Sequence, residues 1–169
     1  MKATGIVRRI DDLGRVVIPK ELRRTLRIKE GDPLEIFVGN DGCITLRKYS
    51  PFKNLDGFAQ EYTYSLHETT GHIACITEDE CIVASSGAFG RDLYLINGFS
   101  SNVKRALKEK ISILVNDGSC TMAAAPIIVN EEPVGVVSLI ARDSNTKLGD
   151  LELKLVETAA AFLAHHMEA

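Results

Sequence analysis

Turn signals cut the first fifty residues into pieces too short to build a core of their own. Asp11-Asp12-Leu13-Gly14, Glu30-Gly31-Asp32-Pro33 and Asn40-Asp41-Gly42 crowd acids, amides, glycine and proline into three or four positions each. Such runs favour turns because they supply positive φ, a fixed φ or a local side-chain acceptor. Between them, 6–10 and 16–18 read as short strands. A short helix is expected from Pro19 through Leu26, since proline fixes φ where a missing N–H costs least. From Leu34 the pattern alternates: Leu34, Ile36 and Val38 share a face, as do Ile44, Leu46 and Lys48 beyond the Asp-Gly turn. Four short strands and one helix bury little surface alone and leave open edges. Two chains exchanging hairpins would relieve both problems, so an obligate dimer is expected.

Ser50-Pro51 marks a boundary, because the residue before proline is pushed out of the helical region. The expected division is 1–50 as a first domain, 51–55 as a linker and 56–169 as a second domain. In the second part a helix is expected at 55–66, strands at 72–77 and 81–86, and a flexible break at 87–90. A helix over 92–110, weakened by Asn97-Gly98, precedes strands at 111–115, 124–129 and 134–141. A final helix spans 147–167. One antiparallel sheet with helices packed on it makes the fold class α+β.

Charge separates the two parts. Residues 1–50 hold 11 of the 20 basic and 7 of the 23 acidic residues, a net of +4, leaving 9 and 16 for the remainder, a net of −7. A cationic front and an anionic rear point to an anionic partner for the front alone. On the short helix, at about 100° per residue, Lys20, Arg23, Arg24 and Arg27 fall on one arc opposite Leu22 and Leu26. Cations crowded on one arc repel each other, and phosphate contact would offset that cost. Arg8, Arg9 and Arg15 add three guanidiniums, suited to bidentate contact with phosphate and guanine, and Lys2 stands at the start of the segment. Arg8 and Arg9 point to opposite faces of a strand, and periodicity does not choose between them.

The stretch 1–26, Met-Lys-Ala-Thr-Gly-Ile-Val-Arg-Arg-Ile-Asp-Asp-Leu-Gly-Arg-Val-Val-Ile-Pro-Lys-Glu-Leu-Arg-Arg-Thr-Leu, resembles the N-terminal domain of the AbrB family, and Gly-Asp-Pro-Leu-Glu-Ile (31–36) and Leu-Arg-Lys-Tyr (46–49) continue the likeness. The resemblance implies a dimeric swapped-hairpin β-barrel of the AbrB/MazE type that binds double-stranded DNA through Arg8, Arg15, Arg23 and Arg24, and so favours Arg8 over Arg9. The stretch 126–140, Pro-Ile-Ile-Val-Asn-Glu-Glu-Pro-Val-Gly-Val-Val-Ser-Leu-Ile, resembles the hairpin of a GAF domain. The combination, ending in Val156-Glu-Thr-Ala-Ala-Ala-Phe-Leu-Ala, resembles a family of sporulation regulators of endospore-forming bacteria. It implies a transcription factor, activator or repressor, whose GAF-like domain sets assembly and could sense an unidentified small-molecule effector.

The remaining residues add less. Cys43, Cys75, Cys81 and Cys120 form no C-x-x-C pair and lie in or beside apolar runs, so buried reduced thiols are expected. His165 and His166 diverge on a helix and make a poor metal pair; no cofactor is expected. No run is long and apolar enough to span a bilayer, and the expected location is cytoplasmic, on the nucleoid. The helices at 55–66 and 147–167 carry apolar stripes expected to join two dimers into a tetramer. Two other readings exist. An antitoxin of the MazE type would share the hairpin, but such antitoxins carry a disordered tail and this one reads as folded. A GAF-fold methionine sulfoxide reductase would need an activated thiol in electropositive surroundings, and Glu78, Asp79 and Glu80 beside Cys81 supply the opposite sign.

Overall fold

The structure, a computed structural model, describes residues 5–55, 57–88, 90–143 and 145–168, excluding the side chains of 53 and 54. The chain divides into two compact units, Met1–Tyr49 and Ser50–Ala169.

In the first unit, helix α1 (Lys20–Thr25) follows Pro19, whose carbonyl accepts the Arg23 amide at 3.0 Å. Strands β1 (Leu34–Val38) and β2 (Ile44–Lys48) form an antiparallel hairpin in the register Leu34↔Lys48, Ile36↔Leu46, Val38↔Ile44. Its turn closes through Gly39 N–H to Cys43 O at 2.8 Å, and Gly42 takes φ 77°. Asp32 ties the preceding turn down, accepting the Lys29 amide at 2.7 Å and facing Lys48 Nζ at 3.4 Å.

Two expectations need correction here. Among the described residues, 6–10 and 16–18 form no strand of a sheet, and the first unit's sheet is the β1–β2 hairpin. Arg27, expected on the cationic arc, also lies beyond the helix, which ends as expected near Leu26. Leu26 is its C-cap, Arg27 takes φ 54°, and Ile28 N–H closes on Arg23 O at 2.8 Å. That left-handed closure satisfies the last carbonyls and turns Arg27 off the helical arc.

In the second unit the sheet order is β4-β3-β7-β6-β5 and every pairing is antiparallel. The strands are β3 (Ile73–Glu78), β4 (Cys81–Ser86), β5 (Ile113–Asn116), β6 (Thr121–Val129) and β7 (Glu132–Ile140). Central strands β3, β6 and β7 are apolar on both faces because both are covered. Ala74, Ile76, Ala123, Ala125, Val137 and Leu139 pack under α2 (Phe58–Thr70) and α5 (Asp150–Glu168). Cys75, Met122, Ala124, Val136 and Ile140 pack under α3 (Gly90–Leu93) and α4 (Phe99–Glu109), through Leu93, Phe99, Val103 and Ala106.

Three further expectations change. The segment 51–55 is no linker: it is a 3-10 turn (Pro51–Leu55) whose Phe52 and Leu55 are buried in the core of the second unit, with the residues under α2 and α5. Burying two large apolar side chains fixes it to the second unit. The helix expected over 92–110 is two pieces, since Gly98 takes φ 82° as the N-cap of α4. Of the four cysteines, Cys75 and Cys120 are buried, but Cys43 and Cys81 are exposed. Cys43 sits at the tip of a hairpin and Cys81 is the first residue of the edge strand β4.

Candidate nucleic-acid interface

Arg8 and Arg9 are both exposed on the segment before the first turn. Arg15 follows that turn with its side chain 69% exposed, and Asp11 binds it: Asp11 Oδ2 accepts from Arg15 Nε at 2.8 Å. Asp11 Oδ1 accepts the backbone amides of Leu13 and Arg15 at 3.0 and 2.7 Å. These bonds, the Arg15 amide first, hold the Asp11 carboxyl below its ordinary value.

On α1, Lys20 and Arg24 are exposed. Arg23 is half-buried, and its Nε is enclosed without a hydrogen-bond acceptor. Arg27 is exposed but lies beyond the helix. Lys2 lies outside the described residues. The arc read from helical spacing therefore holds for Lys20 and Arg24, partly for Arg23, and not for Arg27.

Two contacts escaped the sequence reading. Arg47 stacks over the Phe37 ring, 5.2 Å to its centroid, across the hairpin face opposite Ile36 and Leu46; cross-strand alternation of Phe37 and Arg47 was the available signal. Asp11 as the partner of Arg15 was legible only as an acid four residues ahead of an arginine.

The apolar face of the hairpin is exposed. Ile36 is 65% and Val38 78% exposed, and Ile44 and Leu46 join them; Val7, at 85%, with Ile10, Val16 and Val17, is also open.

The second unit offers little chemistry. Among the described residues no three metal-ligating side chains gather, and no helix is long and apolar enough to cross a membrane. Burial pushes the Cys75 thiol up to about 12. Burial, then the Asp117 carboxylate, also pushes Cys120 up. Neither is an activated nucleophile. A groove of about 360 Å³ runs between α5 and β6, with Ala125, Pro126 and Ala161 below Lys110, Glu157 and His165.

The family model for the C-terminal region of stage V sporulation protein T, a transcription factor, matches residues 54–168. Stage V sporulation protein T of Bacillus subtilis (strain 168) is 46% identical over 180 aligned positions, covering 99% of each chain. The chain belongs to the stage V sporulation protein T family. Within it, residues 7–54 match the MazE antitoxin family model. The transition state regulatory protein AbrB of Bacillus subtilis (strain 168) is 67% identical over 51 residues, 30% of this chain and 52% of that protein. The first unit is thus of the AbrB/MazE type. The second has the GAF fold: a GAF domain/HD domain protein from Geobacter sulfurreducens aligns over 71% of this chain and 99% of its own, at TM-score 0.52 and 15% identity. A type II free methionine-R-sulfoxide reductase from Thermoplasma acidophilum aligns over 70% and 95%, at 0.57 and 12%. At such identity the likeness extends to fold and no further.

Proposed function

We propose that this chain is a DNA-binding transcriptional regulator of sporulation genes, with the first unit contacting duplex DNA and the second setting assembly. The observation that carries the reading is whole-length likeness, at 46% identity, to stage V sporulation protein T. Charge supports it, because a net positive module precedes a net negative one. On this reading the contacts are Arg8, Arg15, Lys20 and Arg24, all exposed, with Arg9 and Arg27, also exposed, half-buried Arg23, and Lys2 near them in sequence. The chain is not an enzyme on this reading, and the two buried thiols support that. The folded second unit argues against an antitoxin with a disordered toxin-binding tail.

The assembly reading has two steps. The exposed apolar hairpin face, with Val7, Ile10, Val16 and Val17 also exposed, supports a dimer formed by exchange of hairpins. Helices α2 and α5 support a second contact. Phe58, Tyr62, Ser65 and Thr69 recur at four- and three-residue steps, as do Leu151, Leu155, Thr158 and Phe162, the spacing of a coiled-coil seam. Phe162 packs against Phe58 and Tyr62 at 5.8 and 5.7 Å between centroids, while Leu151 is 70% exposed. Two such helix pairs would form a four-helix contact and a tetramer. For a small-molecule effector, the groove beneath α5 is the candidate receptor. The location on this reading is the cytoplasm, on the nucleoid.

Binding of the full chain to duplex DNA, measured against salt, tests the function. Affinity should fall steeply, by roughly 0.9 in log–log slope per neutralised phosphate. Salt-independent binding, or none, would refute it. Light scattering that returned a dimer would remove the tetramer.

A further inference from the structure

The turn at 11–14 is closed around one carboxylate. Asp11 N–H donates to Arg15 O at 3.0 Å, and Gly14 N–H donates to Asp11 O at 3.0 Å. Asp11 Oδ1 takes the Leu13 and Arg15 amides, and Oδ2 takes Arg15 Nε at 2.8 Å. An acid on a surface built for phosphate weakens binding by like-charge repulsion. Its presence calls for a compensating role.

The atom that Asp11 contacts supplies one. A guanidinium has five N–H donors, and bidentate recognition of phosphate or of guanine O6/N7 uses two parallel ones. Asp11 engages the single Nε–H. The contact takes the Nε side of the guanidinium and leaves the end-on pair of Nη–H donors, one from each Nη, on a side chain that is 69% exposed. A carboxylate seated on the end-on Nη pair would compete with DNA there, whereas one on Nε orders the side chain and leaves that end-on pair to DNA.

We propose that Asp11 is a positioning residue for DNA recognition, holding Arg15 by its Nε and its backbone amide so that the Nη edge meets DNA already ordered. This rests on the DNA-binding reading above. Immobilising a rotamer-rich side chain before contact removes part of the entropy lost on binding. The benefit falls on a complex in which Arg15 adopts one geometry, not on loose electrostatic association. Asp11 therefore trades general affinity for selectivity.

The test uses the full chain and two duplexes, one selected by the wild-type chain from a randomised pool and one scrambled from it. Asp11→Asn keeps an acceptor for the Leu13 and Arg15 amides but loses the charge on Nε. It should weaken binding to the selected duplex about three- to tenfold, the cost of ordering one such side chain. Binding to the scrambled duplex should hold or tighten, since a negative charge has gone. In an Arg15→Ala background Asp11→Asn should add no further loss on the selected duplex. Arg15→Lys keeps a charge but has no Nε, so it should lose selectivity and become insensitive to Asp11→Asn. Unchanged or tighter binding of Asp11→Asn to the selected duplex would overturn the positioning role alone. So would an equal loss in the Arg15→Ala background, which would place the effect in the turn. If the wild-type chain selected no duplex, the DNA reading would fall and this role with it.

Discussion

Arg24→Ala separates a DNA contact from a structural arginine. Arg24 is exposed on the last turn of α1, and its neighbour Arg23 is half-buried with an enclosed Nε. A dimer loses two Arg24 guanidiniums. If each meets one phosphate, the log–log slope of affinity against salt should fall by about 1.8, at roughly 0.9 per phosphate. Between about 50 and 200 mM salt, a fourfold step, that slope change means about twelvefold less affinity lost to salt. Fluorescence anisotropy on a labelled duplex across that range reads the slope, and a thermal melt reads the fold. Arg24→Ala should change the slope and leave the melt alone. Arg23→Ala should change both, because its stem is packed as well as charged. An unchanged slope for Arg24→Ala would refute the phosphate contact, and a matching loss of stability would refute the view of Arg24 as a surface group.

Three further perturbations probe the second unit. A Cβ at Gly135 would fall on the Thr77 carbonyl oxygen and 2.9 Å from Phe52 Cζ, so Gly135→Ala should destabilise the unit by about 1–3 kcal/mol through overpacking; a denaturant midpoint shift checks it. Asp117 accepts from Ser119 Oγ and the amides of Cys120 and Ser119, and these hold its carboxyl below its ordinary value. That stability is full above the ordinary carboxylate value of about 3.9 and lost as pH falls through the lower folded one. Asp117→Asn should therefore flatten the acid limb of an unfolding-versus-pH curve, and an unaltered limb would contradict the assignment. A thiol-reactive dye should label Cys43 and Cys81 quickly in the native chain, and Cys75 and Cys120 only in denaturant; fast labelling of Cys75 would reopen the thiol-enzyme reading.

Elements with strong local codes were legible in the sequence. The β1–β2 hairpin, its Asp-Gly turn and its facing sets came from alternation alone, and the register Ile36↔Leu46 matches that reading. Strands β3, β4 and β7 and helix α5 fell within a few residues of their expected bounds. Misreadings occurred where a local pattern met a non-local constraint. Leu55 continues the apolar spacing of α2, yet it belongs to a 3-10 turn because Phe52 and Leu55 are drawn into the core under α5. Spacing carried the cationic arc on to Arg27, but the chain closes left-handed there and leaves the helix.

By itself the sequence determined the charge asymmetry and the alternation of the hairpin, because net charge and patterning are properties of neighbours along the chain. Only the tertiary structure decided which cations stand open. It enclosed Arg23 Nε, left Arg24 on the surface, and set Asp11 against the Nε of Arg15. Exposure and hydrogen-bond direction depend on how the backbone turns between residues, and no periodicity encodes that turn.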